Sequence, residues 1–222
     1  NLSIAINPDL PAPYYRKPPI YFTWLGTTTE ARAAMEAMPV VEGQLQYQAW
    51  FWLEFFEGKY SEALSRIESG PETFADQLTL NVRAALSALC LEQLNETAAA
   101  EAAWQEAVDL LEAKMRDRPD DFRIYLDIAV PLAALGQSAE ALEAARRAVQ
   151  MMPMSKDVEA GSAPLENLVL THVRLNQHEE AIDVLETLPR GSQFSVAWMR
   201  LDPRFESLIQ HPRFALFARR SS

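Results

Sequence analysis

One alanine recurs along this chain. Ala31, Ala63, Ala100, Ala141 and Ala181 lie 32, 37, 41 and 40 residues apart, and five residues before each stands a chain-reversing residue: Gly26, Gly58, Asn95, Gly136 and Asn176. Beyond each alanine the helical pattern runs to a proline: Pro39, Pro71, Pro119, Pro153 and Pro189. Self-similarity at this period specifies stacked helix–turn–helix units. Gly or Asn supplies the left-handed residue that stops the first helix, the alanine lets the second helix approach closely, and the proline marks where that helix ends. A stack of this kind presents a surface rather than a reaction centre.

The spacing predicts five units. The first has helices near Pro18–Leu25 and Thr29–Met38, with a capping pair in Thr27 and Glu30. The second runs Glu42–Glu57 and Tyr60–Ser69. The third runs from Pro71 or Glu72 to Leu94 and from Glu96 to Met115. The fourth runs Asp121–Leu135, with Pro131 inside it, and Ser138–Met151. Pro153 to Ala163, with Ser, Gly and Asp around two prolines, reads as a mobile connector, and the fifth unit runs Pro164–Leu175 and His178–Leu188. Asp202-Pro203-Arg204-Phe205 and His211-Pro212-Arg213-Phe214 are near copies nine residues apart. Each is a cap residue followed by proline at the first helical position, so 190–222 reads as short helices capping the end of the stack. The chain opens with Asn1, and residues 1–11 read as the end of a preceding repeat, which makes a C-terminal piece of a longer protein the expectation.

Composition narrows the function. Lys and Arg number 20 against 31 Asp and Glu, a net charge of −11. That balance argues against direct nucleic-acid binding, which needs a basic footprint, and against an anionic membrane surface. Apolar stretches are broken by charge well short of a membrane span. Cys90 stands alone, so no intrachain disulfide or cysteine metal motif can form; this fits the cytoplasm and is compatible with the periplasm. No HExxH, phosphate-binding Gly-rich loop or nucleophile elbow occurs. His172 and His178 straddle a turn and read as packing residues, His211 as a cap, and Cys90 as a small buried hydrophobe. No catalytic residue, cofactor or metal is expected.

The units resemble the tetratricopeptide repeat, whose pattern runs W-x2-L-G-x2-Y, A-x3-F, P. Unit four fits with Tyr125, Ile128, Ala129, Leu132, Ala141, Ala145, Ala148 and Pro153. Unit two follows with Tyr47, Trp50, Phe51, Ala63 and Ile67, and unit five with Leu165, Leu168, Val169, His172, Ala181 and Leu185. Unit three keeps Ala84, Ala88, Leu91, Ala100, Trp104 and Ala107, and unit one departs most, with Pro18-Pro19 where Leu-Gly is expected. The resemblance covers residues 12–189 and implies an all-α fold: a right-handed α-α superhelix of about five units plus a C-terminal helical cap. The tail, Trp198 to Phe205 with Leu208 and Pro212-Arg213-Phe214, is similar to the ending of many bacterial signalling proteins, in which such repeats follow a DNA-binding, cyclase or kinase domain.

In that family the first helix of each unit lines the concave face. By phase with Gly58, Tyr47, Trp50 and Phe51 are expected between helices, while Trp52, Phe55 and Phe56 point to the groove. Three such side chains carry roughly 500 Å² of apolar surface, which something must cover: the chain's own Tyr14–Ile20 or C-terminal lid, a bound protein or peptide segment, or a second copy. The same phase adds Trp24, Leu89, Glu92, Gln93, Arg123, Leu126, Val130, Glu166, Leu170 and Arg174, with Arg123 and Arg174 setting polarity. Arg16, Ile20, Ala49, Val82 and Leu86 stand where relatives that hold chaperone tails carry Lys and Asn, so that role is not expected. The reading is a binding module for an apolar or amphipathic segment of another protein or of upstream domains, the alternative being a homodimerisation module that controls an N-terminal effector.

Overall fold

The computed structural model describes residues 2–39, 44–189 and 192–220. It is predominantly helical. Short α1 (Leu2–Ile6) and α2 (Ala12–Tyr15) precede α3 (Lys17–Leu25) and α4 (Thr29–Glu36), then α5 (Gln44–Phe56) and α6 (Tyr60–Glu68). After a two-stranded hairpin come α7 (Arg83–Gln93) and α8 (Thr97–Asp117), α9 (Phe122–Ala134) and α10 (Ser138–Met151), and α11 (Val158–Arg174) and α12 (His178–Leu185). The chain ends in α13 (Val196–Leu201), a 3-10 turn over Pro203–Phe205, α14 (Glu206–Ile209) and α15 (Pro212–Arg220). Each pair packs together, and α6 on α7, α8 on α9 and α10 on α11 join pair to pair. Among the described residues no helix is long and apolar enough to cross a membrane.

The five turns follow from their residues. Gly26, Gly58, Asn95, Gly136 and Asn176 all have positive φ, between 57° and 78°. At Gly136 a Cβ would meet open space, so glycine is there for its backbone alone. Each turn folds back on the end of its own helix, as where Gly136 N–H donates to the Ala133 carbonyl and Gln137 N–H to that of Leu132. The recurring alanines, Ala31, Ala63, Ala100, Ala141 and Ala181, are all buried. A larger side chain at these crossings would force the helices apart.

Two segments depart from the expected layout. The helix expected from Pro71 onward begins only at Arg83; before it, β1 (Thr73–Ala75) pairs antiparallel with β2 (Leu80–Val82), Phe74 opposite Asn81. The Asp76 carboxylate nucleates the turn by accepting from the N–H groups of Leu78 and Thr79 at 2.7 and 2.8 Å. Phe74, Leu80 and Val82 are buried, so the strands hold through packing that a helix would forfeit. The connector expected from Pro153 to Ala163 is half helix: Asp157 caps α11 by accepting from Ala160 N–H at 2.9 Å, and the helix runs through Pro164. Gly161 makes this possible, because a Cβ there would lie 2.5 Å from the Met154 backbone. The start of the second unit's first helix, at Glu42, falls outside the described residues.

The far ends of the helix order meet. Ser195 caps α13 and its Oγ–H donates to the Thr23 carbonyl of α3 at 2.5 Å, so α13 packs on α3. Asp202 caps the turn that follows, accepting from Arg204 N–H at 3.0 Å.

Candidate functional site

Helix α5 is apolar almost all round, and its phase does not settle which side faces a groove. Phe55 is fully buried, stacked on Phe51 with ring centres 5.7 Å apart. Phe56 is buried in a three-ring cluster, edge-on to Phe22 at 5.1 Å and to Trp198 at 5.2 Å, with Phe22 and Trp198 5.5 Å apart. The expectation that Phe55 and Phe56 line the groove is therefore corrected: both are core, Phe55 against Phe51 and Tyr60 of α6, and Phe56 covered by α3 and by α13 of the C-terminal segment. Trp52 does reach the groove. Its ring is edge-on to Phe51 at 5.0 Å and carries the Arg204 guanidinium 4.8 Å from its centre.

The groove is a concavity of about 1390 Å³. Helices α3, α5, α7, α9 and α11 line it, together with the hairpin turn and the segment that leads into α13. Trp24, Leu89, Arg123, Val130 and Leu170 lie on it. Trp24 is 69% exposed. Leu89 is buried, and Val130 and Leu170 are half-buried. Arg174 is a second correction, for it lies off the groove. Its guanidinium grips Glu92 with both terminal nitrogens and sits 5.7 Å from the Trp104 ring, whose Nε1–H donates to the same carboxylate at 2.7 Å. The triad ties α11 to α7 and α8.

Arg123 is spent on structure. Its Nε and Nη2 donate to the two Asp121 oxygens at 2.8 Å each, and Nη1 donates to the Asp76 carbonyl. The hairpin turn is thereby clamped onto α9. A second clamp lies one turn along α9, where Asp127 Oδ2 accepts from Leu80 N–H at 2.6 Å. Burial pushes the Asp127 carboxyl up to about 7, with Asp76 and Asp121 adding to the rise and Arg123 opposing it. Glu166 on α11, also on the groove, accepts from Gln193 N–H at 2.8 Å and from Phe194 N–H; burial raises it to about 7 against those bonds. Glu166 falls on the groove by repeat phase, whereas Asp127 was missed; its signal is a lone carboxylate inside Phe122–Ala134, a helix whose only other charge is Arg123 in its first turn.

The remaining chemistry-bearing residues are packed away from this surface. Cys90 is buried, and its thiol is pushed up to about 12, which leaves essentially no thiolate at neutral pH. His172 is buried with Nδ1 2.7 Å from Gln177 Oε1, and His178 Nε2 lies 3.2 Å from Ser207 Oγ. Comparison with family models, with curated proteins and with solved structures finds no match for this chain.

Proposed function

We propose that the chain is a protein-interaction module of the tetratricopeptide kind. Its successive helix pairs form about five units of a right-handed superhelix over 12–189, with 190–222 as a helical cap, and its concave groove holds an apolar or amphipathic protein segment. Five buried alanines in phase with five left-handed stops support the repeat reading. The observation that carries the binding role is the groove itself: it is wide, mostly apolar and has Trp24 held open at its edge. Aromatic anchors beside a few oriented polar groups are what binding hot spots are made of. The C-terminal tail and the repeat pattern together support placing the module as the sensory or regulatory region of a larger bacterial signalling protein.

Selection of a displayed random-peptide library on the chain tests this reading. Peptides are expected to enrich on the chain and to lose binding to Trp24→Ala/Leu170→Asp. No enrichment, or enrichment indifferent to that variant, overturns it. A second reading, homodimerisation, is favoured by the exposed Ile20, Trp24 and Leu25 on α3. Leu25 lies off the groove lining, so a dimer seen by light scattering that Leu25→Asp dissociates would assign that face to a second copy and leave the groove free.

A further inference from the structure

The charges on the groove are unequally matched. Of its arginines, Arg123 is neutralised by Asp121 and Arg204 by Asp202, each through two guanidinium nitrogens; Arg16 is exposed at the rim. Asp76 lies on the groove with its Oδ1 held by the turn amides. Asp127 and Glu166 receive backbone N–H bonds only, and neither forms an ion pair among the described residues. Glu166 is 9% exposed. A carboxylate sunk in an apolar surface without a counterion is costly, and a cation brought to it removes that cost. The chain's net charge of −11 draws cations toward the surface as a whole.

Resting on the binding role argued above, we propose that the segment held by the groove carries a basic side chain, lysine or arginine, flanked by apolar ones, its positive charge set against one of the two groove carboxylates that form no ion pair among the described residues, Asp127 or Glu166. The apolar flanks meet Trp24, Trp52, Val130 and Leu170. A volume of about 1390 Å³ exceeds what a single small molecule fills and fits a length of polypeptide. An acidic segment would meet Asp76, Asp127 and Glu166 with every available arginine already engaged below the rim. A wholly apolar segment would leave both carboxylates buried and unmatched. Burial raises both carboxyls to about 7, and a cation seated beside either one would favour its charged form.

The test reads the peptides that the library selection yields. Enriched sequences are expected to share a lysine or arginine between apolar residues. A fluorescein-labelled peptide made from the consensus should bind Asp127→Asn/Glu166→Gln at least about tenfold more weakly than the unaltered chain. Exchanging its basic residue for norleucine should weaken binding to the unaltered chain as much and leave binding to the double variant unchanged. Both amides keep an oxygen to accept from Leu80 and Gln193, and far-UV circular dichroism checks that the fold is kept. Enriched peptides without a basic residue, or equal affinity for the double variant, overturn this proposal while the binding role stands. Absence of any groove-dependent peptide, or a dimer that Trp24→Ala dissociates with Leu25→Asp inert, overturns it together with that role.

Discussion

The Arg204 guanidinium lies 4.8 Å from the centre of the Trp52 ring while its Nε and Nη2 hold the two oxygens of Asp202. The side chain of Asp202 is wholly buried, so Arg204 joins the C-terminal segment to α5 and supplies the only countercharge that Asp202 shows among the described residues. Arg204→Ala is expected to cost ~3 kcal/mol in urea unfolding, because it leaves a buried charge unmatched. Arg204→Ala/Asp202→Asn should recover much of that loss. A double variant less stable than the single one would show that stacking on Trp52, rather than charge, carries the contact.

The left-handed stops make a paired prediction. Gly136→Ala introduces no clash, so its cost is backbone strain alone, about 1 kcal/mol. Asn95→Gly at φ 61° should instead gain a few tenths of a kcal/mol. Thermal unfolding of the two variants should shift in opposite directions.

Stability should respond to pH through Asp127 and Glu166. Each binds its proton more tightly in the fold than in the unfolded chain, since burial raises both carboxyls to about 7. Their contribution is full below the ordinary carboxylate range and is lost as pH rises from about 4 to about 7. Around Asp127 stand Asp76, Asp121 and Arg123, and around Glu166 the amides of Gln193 and Phe194. Asp127→Asn should therefore match the original chain near pH 4 and exceed it near pH 8, by ~2 kcal/mol after allowance for its partial exposure. Urea midpoints across that range measure the difference; a constant gap would show that Asp127 does not titrate there.

The hairpin turn hangs from α9 by Arg123 and Asp127. Arg123→Ala removes the clamp on the Asp76 carbonyl, and amide exchange at Leu78 and Thr79 should accelerate by roughly tenfold, with little change deep in α9. Exchange that rises uniformly over the chain would mean that the hairpin opens only with global unfolding.

Legibility differed from element to element for physical reasons. The stops and the alanines were readable because one residue decides each: a left-handed φ admits Gly and Asn, and a close crossing admits little beyond Ala. Pro131 was likewise rightly placed inside a helix, α9. The hairpin was hidden because its strands are three residues each, too short to display an alternation. The first turn of α11 was hidden behind Pro153, Gly161 and Pro164, residues that usually mean loop; only contact with Met154 reveals why Gly161 is helical. Phe55 and Phe56 could not be told from groove residues because α5 offers apolar residues in every direction, and what covers Phe56, Phe22 and Trp198, lies well outside its own unit. Arg174 was misplaced for a related reason: its partner, Glu92, is 82 residues away.

In the proposed stack, a row of units that touch only their neighbours could be peeled from either end, each step exposing the next. The bond from Ser195 to Thr23, across 172 residues, and the packing of Trp198 on both Phe22 and Phe56 work as a hasp across that row. Between Thr23 and Ser195, peeling would have to open this hasp first instead of advancing pair by pair. While the hasp holds, the row cannot lengthen like a spring, and the mouth that Trp24 borders keeps its width.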